Sequence, residues 1–229
     1  PILERAIWDA GISDWGQFLQ TSHVPGLSPD LHGSVRRQVR LWLDALQRSD
    51  LRFLTKKLPP AEHWQLYGIF GDATRYLDIE TTGLDPSHDT VTMVGVYDGH
   101  HYQALIQGKD LTASALKKAL AGCKLLVTYF GKVFDVPFLR AAYPDVKWPM
   151  PHYDLCYAAR RLGLTGGLKS VEVALGLKRS GTIEHVDGFE AVRLWHAYQR
   201  GDRKALDILV EYNQADTKNL SRIATTVYQ

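Results

Sequence analysis

Asp78 and Glu80 stand in the stretch Arg75-Tyr76-Leu77-Asp78-Ile79-Glu80-Thr81-Thr82-Gly83-Leu84. Tyr76, Asp78 and Glu80 alternate with Leu77 and Ile79, a period of two that predicts a β-strand ending near Glu80. Side chains two apart on a strand share a face, so the two carboxylates project side by side. Such a pair repels itself and is costly to bury unless a cation neutralises it. A hard divalent ion, Mg²⁺ or Mn²⁺, suits oxygen ligands and keeps positions open for phosphate. A bare Asp-x-Glu is more often an edge strand whose acids simply face water. The Thr81-Thr82-Gly83 turn favours a site, because a glycine turn lets backbone approach a ligand closely.

Two further acids stand in apolar surroundings. Asp135 is flanked by Phe134, Val136 and Phe138. Asp216 lies in a long helical segment in which Leu206, Leu209, Val210, Thr217, Leu220 and Ala224 fall on one stripe at 100° per residue. Asp207, Glu211, Lys218 and Arg222 occupy the opposite side, whereas Asp216 sits at the margin of the stripe with Tyr212 one turn before it. An arginine salt bridge would satisfy Asp216 if it stood alone. Four inward acids exceed what structural salt bridges explain.

The elements that must position these residues follow from the same patterns. Thr90–Tyr97 reads as a second strand, Asp98-Gly99 as a hairpin turn and His100–Ile106 as the returning strand, with His100 and His101 flanking the turn in solvent. A helix over Leu111–Leu120 precedes a buried strand over Lys124–Tyr129. Gly131 and Asp135 bracket a loop into a helix whose first turn accommodates Pro137. Helices follow over Leu155–Leu162, Lys169–Leu175, Phe189–Tyr198 and about Arg203–Thr225. The expected class is α/β, a mixed sheet flanked by helices. Residues 1–73 read as a helical N-terminal extension, and residues 74–229 as the domain carrying the acids. In the extension Val35, Val39, Trp42, Leu43 and Leu46 form a stripe with Ser34 as its N-cap, and Pro60 opens a short helix.

With 45% apolar and 23% charged residues among 229, the chain has the composition of a globular protein with a proper core. A formal net charge of +2 leaves no global basic field, so any nucleic-acid contact must use a local patch. Cys123 and Cys156 make no disulfide framework and suit a reducing, cytoplasmic setting. No apolar run approaches a membrane span and no signal-peptide pattern opens the chain, so no membrane partner is expected.

Three segments carry a resemblance to a family. Leu77-Asp78-Ile79-Glu80-Thr81-Thr82-Gly83-Leu84 resembles the first motif of the DEDD 3′→5′ exonucleases, which have a ribonuclease H-like fold. Thr128-Tyr129-Phe130-Gly131-Lys132-Val133-Phe134-Asp135 resembles the second, with Phe130 where these domains often carry Asn. Tyr212-Asn213-Gln214-Ala215-Asp216 resembles the third in its tyrosine form, DEDDy. His152-Tyr153-Asp154-Leu155, Leu168-Lys169-Ser170-Val171-Glu172 and Leu175-Gly176-Leu177-Lys178-Arg179 are similar to segments of the YprB-like exonuclease domains in that group. The likeness spans roughly residues 74–224.

The resemblance implies a metal-dependent 3′→5′ exonuclease releasing nucleoside 5′-monophosphates from 3′ ends of single-stranded DNA or RNA, with DNA favoured. Asp78, Glu80 and Asp216 would hold one divalent cation, Mg²⁺ or Mn²⁺, and Asp78 would share a second with Asp135. Tyr212, with a reference pKa of about 10, would orient the attacking water rather than act as base. Thr81 and Thr82 would contact the terminal nucleotide, and Lys132, Lys169, Lys178 and Arg179 the phosphate backbone. Asp154 would be a structural or substrate-contact residue, not a metal ligand. A ribonuclease H-type endonuclease and a silent nucleic-acid-binding module are the alternatives. The spacing of Tyr212 and Asp216 favours the exonuclease over the first, and the full set of acids favours it over the second.

Overall fold

The computed structural model describes residues 2–228 and builds its sheet around β1 (Thr74–Thr81). The sheet has the order β3-β2-β1-β4-β5, with β2 over Val91–Tyr97, β3 over Tyr102–Ile106, β4 over Leu125–Thr128 and β5 over His152–Asp154. β1 pairs antiparallel with β2 and parallel with β4, and β5 runs parallel to β4. The mixed sheet is as expected, with two refinements. β3 starts at Tyr102, because Asp98 accepts from the amides of His100 (2.8 Å) and His101 (2.7 Å) and holds both in the turn. β5 is three residues long, too short for alternation to reveal it, and is defined by its pairing with Thr128 and its neighbours.

Two compact units divide at Leu54 and Thr55. The first contains α1 (Ile2–Asp9), α2 (Trp15–Gln20), α3 (Pro29–Arg48) and most of α4 (Leu51–Lys57). Ile12, Phe18, Val24 and Leu27 form its small core, with Val35 and Val39 of the expected stripe packed against them. α3 begins earlier than its apolar stripe suggested. Ser28, not Ser34, is the N-cap: its hydroxyl accepts from Leu31 N at 3.3 Å, and Pro29 fills the first helical position, where a missing N–H is harmless.

The second unit opens with a 3₁₀ segment over Pro60–Leu66, α5 (Tyr67–Phe70) and a further 3₁₀ turn, and then enters the sheet. The helices that flank the sheet are α6 (Ala113–Ala119), α7 (Asp135–Ala142), α8 (Leu155–Arg161), α9 (Leu168–Ala174), α10 (Gly188–Gln199) and α11 (Arg203–Tyr228). α6 supplies the crossover that a parallel β1–β4 pair requires, and Thr112 caps it by accepting from Ala115 N at 3.1 Å. α11 packs across β1, β2 and β4. That close approach depends on Gly95, which pairs with Asp78 across the β1–β2 ladder. A Cβ there would overlap Asn213 Oδ1 and Thr217 Oγ1 of α11, so only glycine lets the helix come this near to the sheet. Among the described residues, no helix is long and apolar enough to cross a membrane.

Candidate functional site

The parallel strands β1, β4 and β5 all end at one edge of the sheet, and the acids gather there. β1 presents Asp78 half-buried and Glu80 buried, 7% exposed. Just beyond Glu80 the β1–β2 register slips, which ends regular pairing and opens the loop that follows. α11 brings Asp216 against the pair. One carboxylate oxygen from each of Asp78, Glu80 and Asp216 lies within 4.8 Å of the others. Asp135, the first residue of α7, is buried at the same edge outside that trio, and its charge reaches both Asp78 and Glu80.

Burial pushes the Asp78 and Glu80 carboxyls well above their usual range, and Asp216 raises both further. Asp216 itself is pushed up to about 6 by burial, with Arg179 and Tyr212 working the other way. Burial raises Asp135 to about 7 against the pull of its own and Ile79's backbone amides. Four carboxyls driven toward neutrality in one place fit a missing positive charge. Their donor atoms are all oxygen, the set a hard divalent cation takes.

Two polar side chains that the sequence reading had not assigned organise this edge. Asn213 is fully buried and donates from Nδ2 to Asp78 Oδ2 at 2.8 Å and to Glu80 Oε1 at 3.3 Å. The Tyr102 hydroxyl donates to Asn213 Oδ1 at 2.8 Å, which obliges the amide NH₂ to face the carboxylates. Asn213 is therefore a clamp on the Asp-x-Glu pair, one helical turn ahead of Asp216. Glu172 of α9, 2% exposed, is the second. It accepts from Arg179 Nε at 2.6 Å, from Arg179 Nη2 at 2.8 Å and from Asn219 Nδ2 at 2.9 Å.

The expected contact residues divide. Arg179 does not lie along a solvent-facing phosphate path: its side chain is 6% exposed and ion-paired to Asp216 as well as to Glu172. These two acids hold its guanidinium protonated despite burial. Lys169 Nζ donates to the Val186 carbonyl and stands 5.6 Å from the Tyr212 ring centroid. Lys132 Nζ donates to Pro60 O at 3.0 Å, on the far side of the loop that leads to Asp135. Thr81 donates to Gly83 O at 2.6 Å, and Thr82 donates to Asp89 Oδ1 at 3.1 Å, so both hydroxyls brace the loop itself. Tyr212 is 8% exposed beside Asp216, and its phenol is pushed above its ordinary value by burial and by the charges of Asp216, Glu80 and Asp78. Asp154 accepts from the amides of Phe130 (2.8 Å), Lys132 (3.0 Å) and Cys156 (3.1 Å), which fixes the 129–134 loop and caps α8. Phe130 in that loop has φ +63°, the left-handed region that Asn tolerates far better than Phe.

The carboxyl shifts carry a testable consequence. A group whose folded pKa is raised stabilises the fold fully below its unfolded value, about 4 for these acids, and loses that contribution as pH rises through the folded value. For Asp216 and Asp135 the loss runs through about 6 and about 7. His152, held down to about 3 chiefly by burial, acts in the opposite direction below about 6.5. It contributes equally with and without added cation, so it cancels from the difference. The melting temperature gained on adding Mg²⁺ to chelator-treated protein should therefore be larger at pH 7.5 than at pH 5.5. A gain that is flat across this range would contradict the carboxyl shifts.

Residues 75–228 match the RNase_H superfamily. No curated protein matches the chain. Among solved structures, the chain is similar to the family B DNA polymerase of the hyperthermophilic archaeon Pyrobaculum calidifontis, at 17% identity and TM-score 0.54 over 67% of this chain. It spans only 24% of that polymerase's length. It is also similar to Brucella melitensis NrnC with bound Mg²⁺, at 21% identity and TM-score 0.50, covering 69% of this chain and 73% of that one. A structure described as the apo form of a nuclease is similar at 20% identity and TM-score 0.50, covering 73% and 75%. At these identities the likeness is one of fold.

Proposed function

The chain belongs to the RNase H superfamily, and from that premise we propose that it is a metal-dependent 3′→5′ exonuclease of the tyrosine DEDD type. Its substrate is the 3′ end of single-stranded nucleic acid, with DNA favoured, and its products are nucleoside 5′-monophosphates. Residues 74–229 form the exonuclease domain, closest in kind to the YprB-like domains, behind a helical extension over residues 1–73. The observation that carries this reading is the convergence of Asp78, Glu80, Asp135 and Asp216 at one sheet edge, with Tyr212 one turn ahead of Asp216.

In this reading Asp78, Glu80 and Asp216 would hold one divalent cation, and Asp78 and Asp135 a second, Mg²⁺ or Mn²⁺ in each case. Such ions would supply positive charge to the scissile phosphate and to the attacking and leaving oxygens. Asn213 ties Asp78 and Glu80 together through one amide, which would hold the pair in place before an ion binds. The raised phenol of Tyr212 stays protonated at neutral pH, which makes it a hydrogen-bond donor and not a base. Its role is to orient the attacking water against the phosphate. Lys169, against the Tyr212 ring, places positive charge on the flank where the substrate backbone arrives. The position of Tyr212 one turn before Asp216 favours this reading over an endonuclease of the same fold.

The test is a 5′-labelled oligonucleotide, as DNA and as RNA, incubated with Mg²⁺ or Mn²⁺ and read as a ladder. Products shortened stepwise from the 3′ end, abolished by chelator and poorly supported by Ca²⁺, support the reading, since Ca²⁺ prefers looser and higher coordination. Internal cuts, or cleavage that survives chelation, would overturn it. Tyr212→Phe removes the hydroxyl and keeps the ring's packing. Single-turnover cleavage by this variant should fall about 10²-fold, the low end of the range for a positioned polar group, with oligonucleotide binding in Ca²⁺ little changed. Cleavage at the parental rate would make Tyr212 a packing residue only.

A further inference from the structure

Beside the edge strand β5, away from the carboxylates, lies a cleft of about 600 Å³ that the proposed reaction leaves unused. Its walls come from the 3₁₀ segment Pro60–Leu66, from α8 and from the end of α11, all within the second unit. Trp64, Tyr157 and Tyr228 line it, together with the buried Tyr153. Tyr157 is 41% exposed, so much of its ring is open to a ligand. Three cations line it too. Lys132 Nζ and the Arg160 guanidinium lie 5.7 and 6.0 Å from the Tyr157 ring centroid, and Arg161 stands beside them, 3.9 Å from Glu62 at the rim.

Three cations against one acid in its lining leave the cleft net positive, with Glu62 at the rim offsetting part of the charge of Arg161. Its one acidic lining residue, Asp154, already accepts from three backbone amides of the loop and helix it organises. Flat aromatic faces flanked by an excess of cations match a base and its phosphates, because every base has a π-face and every linkage a negative charge. An acidic peptide would use the cations and leave the rings idle. The cleft shares a loop with the carboxylate site: Lys132, in its lining, belongs to the loop that ends at Asp135.

We propose that this cleft is a second binding site for single-stranded nucleic acid, which grips the strand upstream of the 3′ end through stacking on Tyr157 and Trp64 and phosphate contacts to Lys132, Arg160 and Arg161. It rests on the nuclease reading for the direction of the strand, and it adds a length requirement: oligomers that reach the cleft are held better than those that fill only the carboxylate site.

The experiment uses the full chain, a 5′-fluorescein thymidylate 10-mer and the corresponding dinucleotide. Binding of the 10-mer is followed by anisotropy in chelator over a KCl series, and kcat/KM is measured with Mg²⁺ for both lengths. Two variants at exposed positions, each checked for a parental melting temperature, are Tyr157→Leu and the pair Arg160→Gln with Arg161→Gln. Tyr157→Leu should weaken 10-mer binding about tenfold, within the range for loss of one stacked base. The arginine pair should lower the slope of log affinity against log salt by about 1.4, the value for two single-strand phosphate contacts. In both, the parental preference for the 10-mer over the dinucleotide in kcat/KM should shrink. Parental affinity and salt slope in both variants would overturn the cleft as a strand site. So would displacement of the 10-mer from the parent by polyglutamate of equal charge at equal concentration. A parent that binds the 10-mer but cleaves neither oligomer would overturn the nuclease reading instead, and the binding arm still decides the cleft.

Discussion

Replacing Asp78 with alanine should abolish nuclease activity while leaving the ion-free protein at least as stable as the parent. In the proposed reading Asp78 is the acid that would serve both cation positions. It joins the trio within 4.8 Å and, like Glu80, feels the charge of Asp135. Its loss therefore disables both halves of the phosphate clamp, and cleavage should fall by more than about 10³-fold, the upper end for losing a single preorganised electrostatic group. Stability moves the other way. The Asp78 carboxyl is pushed up first by burial and then by Asp216, Glu80 and Asp135, so its ionised form is a burden on the ion-free fold. Removing it should therefore raise the melting temperature of the ion-free protein at pH 7.5, or at least leave it unchanged. The advantage should fade toward pH 5, where the parent's carboxyls take up protons. Asn213 keeps Glu80 as an acceptor, which limits what the substitution orphans. Thermal melts in chelator at the two pH values, beside cleavage of a labelled oligonucleotide with Mg²⁺, measure both effects. A variant that cleaves near the parental rate would remove Asp78 from the site, and one that melts well below the parent at pH 7.5 would contradict the repulsion.

Much of this edge is legible in the residues, and the part that is not shares one physical cause. The strand under Asp78 shows itself by alternation, and the buried face of α11 by its apolar stripe, because both patterns are local. Asp135 and Asp216 stand out because an acid among apolar neighbours is conspicuous at any position. Asn213 does not stand out: a polar residue in a helix reads as surface unless its partners are known, and those partners lie on β1 and β3. Gly95 reads as a weak position in an alternating strand, and its role shows only when α11 lies across it. Glu172 and Arg179 look like ordinary solvated charges until the fold buries them together. Ser28 does not stand out as the cap because the apolar stripe of α3 starts more than a turn after the helix does. In each case the missing information is long-range contact, which composition and periodicity do not encode.

The buried arginine is where the fold and the site share one interaction, and Arg179→Met should expose it. Glu172, 2% exposed, keeps only Asn219 when the guanidinium is gone, and Asp216 loses the cation that holds its pKa down. Removing one member of a buried ion pair leaves an uncompensated charge and costs about 3–5 kcal/mol. Against a typical total of roughly 5–15 kcal/mol, that is a large part of the fold's stability. Denaturant unfolding of ion-free protein at pH 7.5 should show a midpoint well below the parent's. Two further measurements identify the cause. Adding Glu172→Gln to Arg179→Met removes the orphaned charge while keeping an acceptor for Asn219, so the double variant should recover much of the loss. Mn²⁺ should stabilise Arg179→Met by more than it stabilises the parent, because the ion then takes over a neutralising role that the parent's guanidinium already fills at Asp216. If Arg179→Met unfolds at the parental midpoint, the Glu172–Arg179–Asp216 chain does not hold the fold. If its loss is matched by the double variant and untouched by Mn²⁺, the arginine acts through packing alone, and the carboxylate edge is balanced without it.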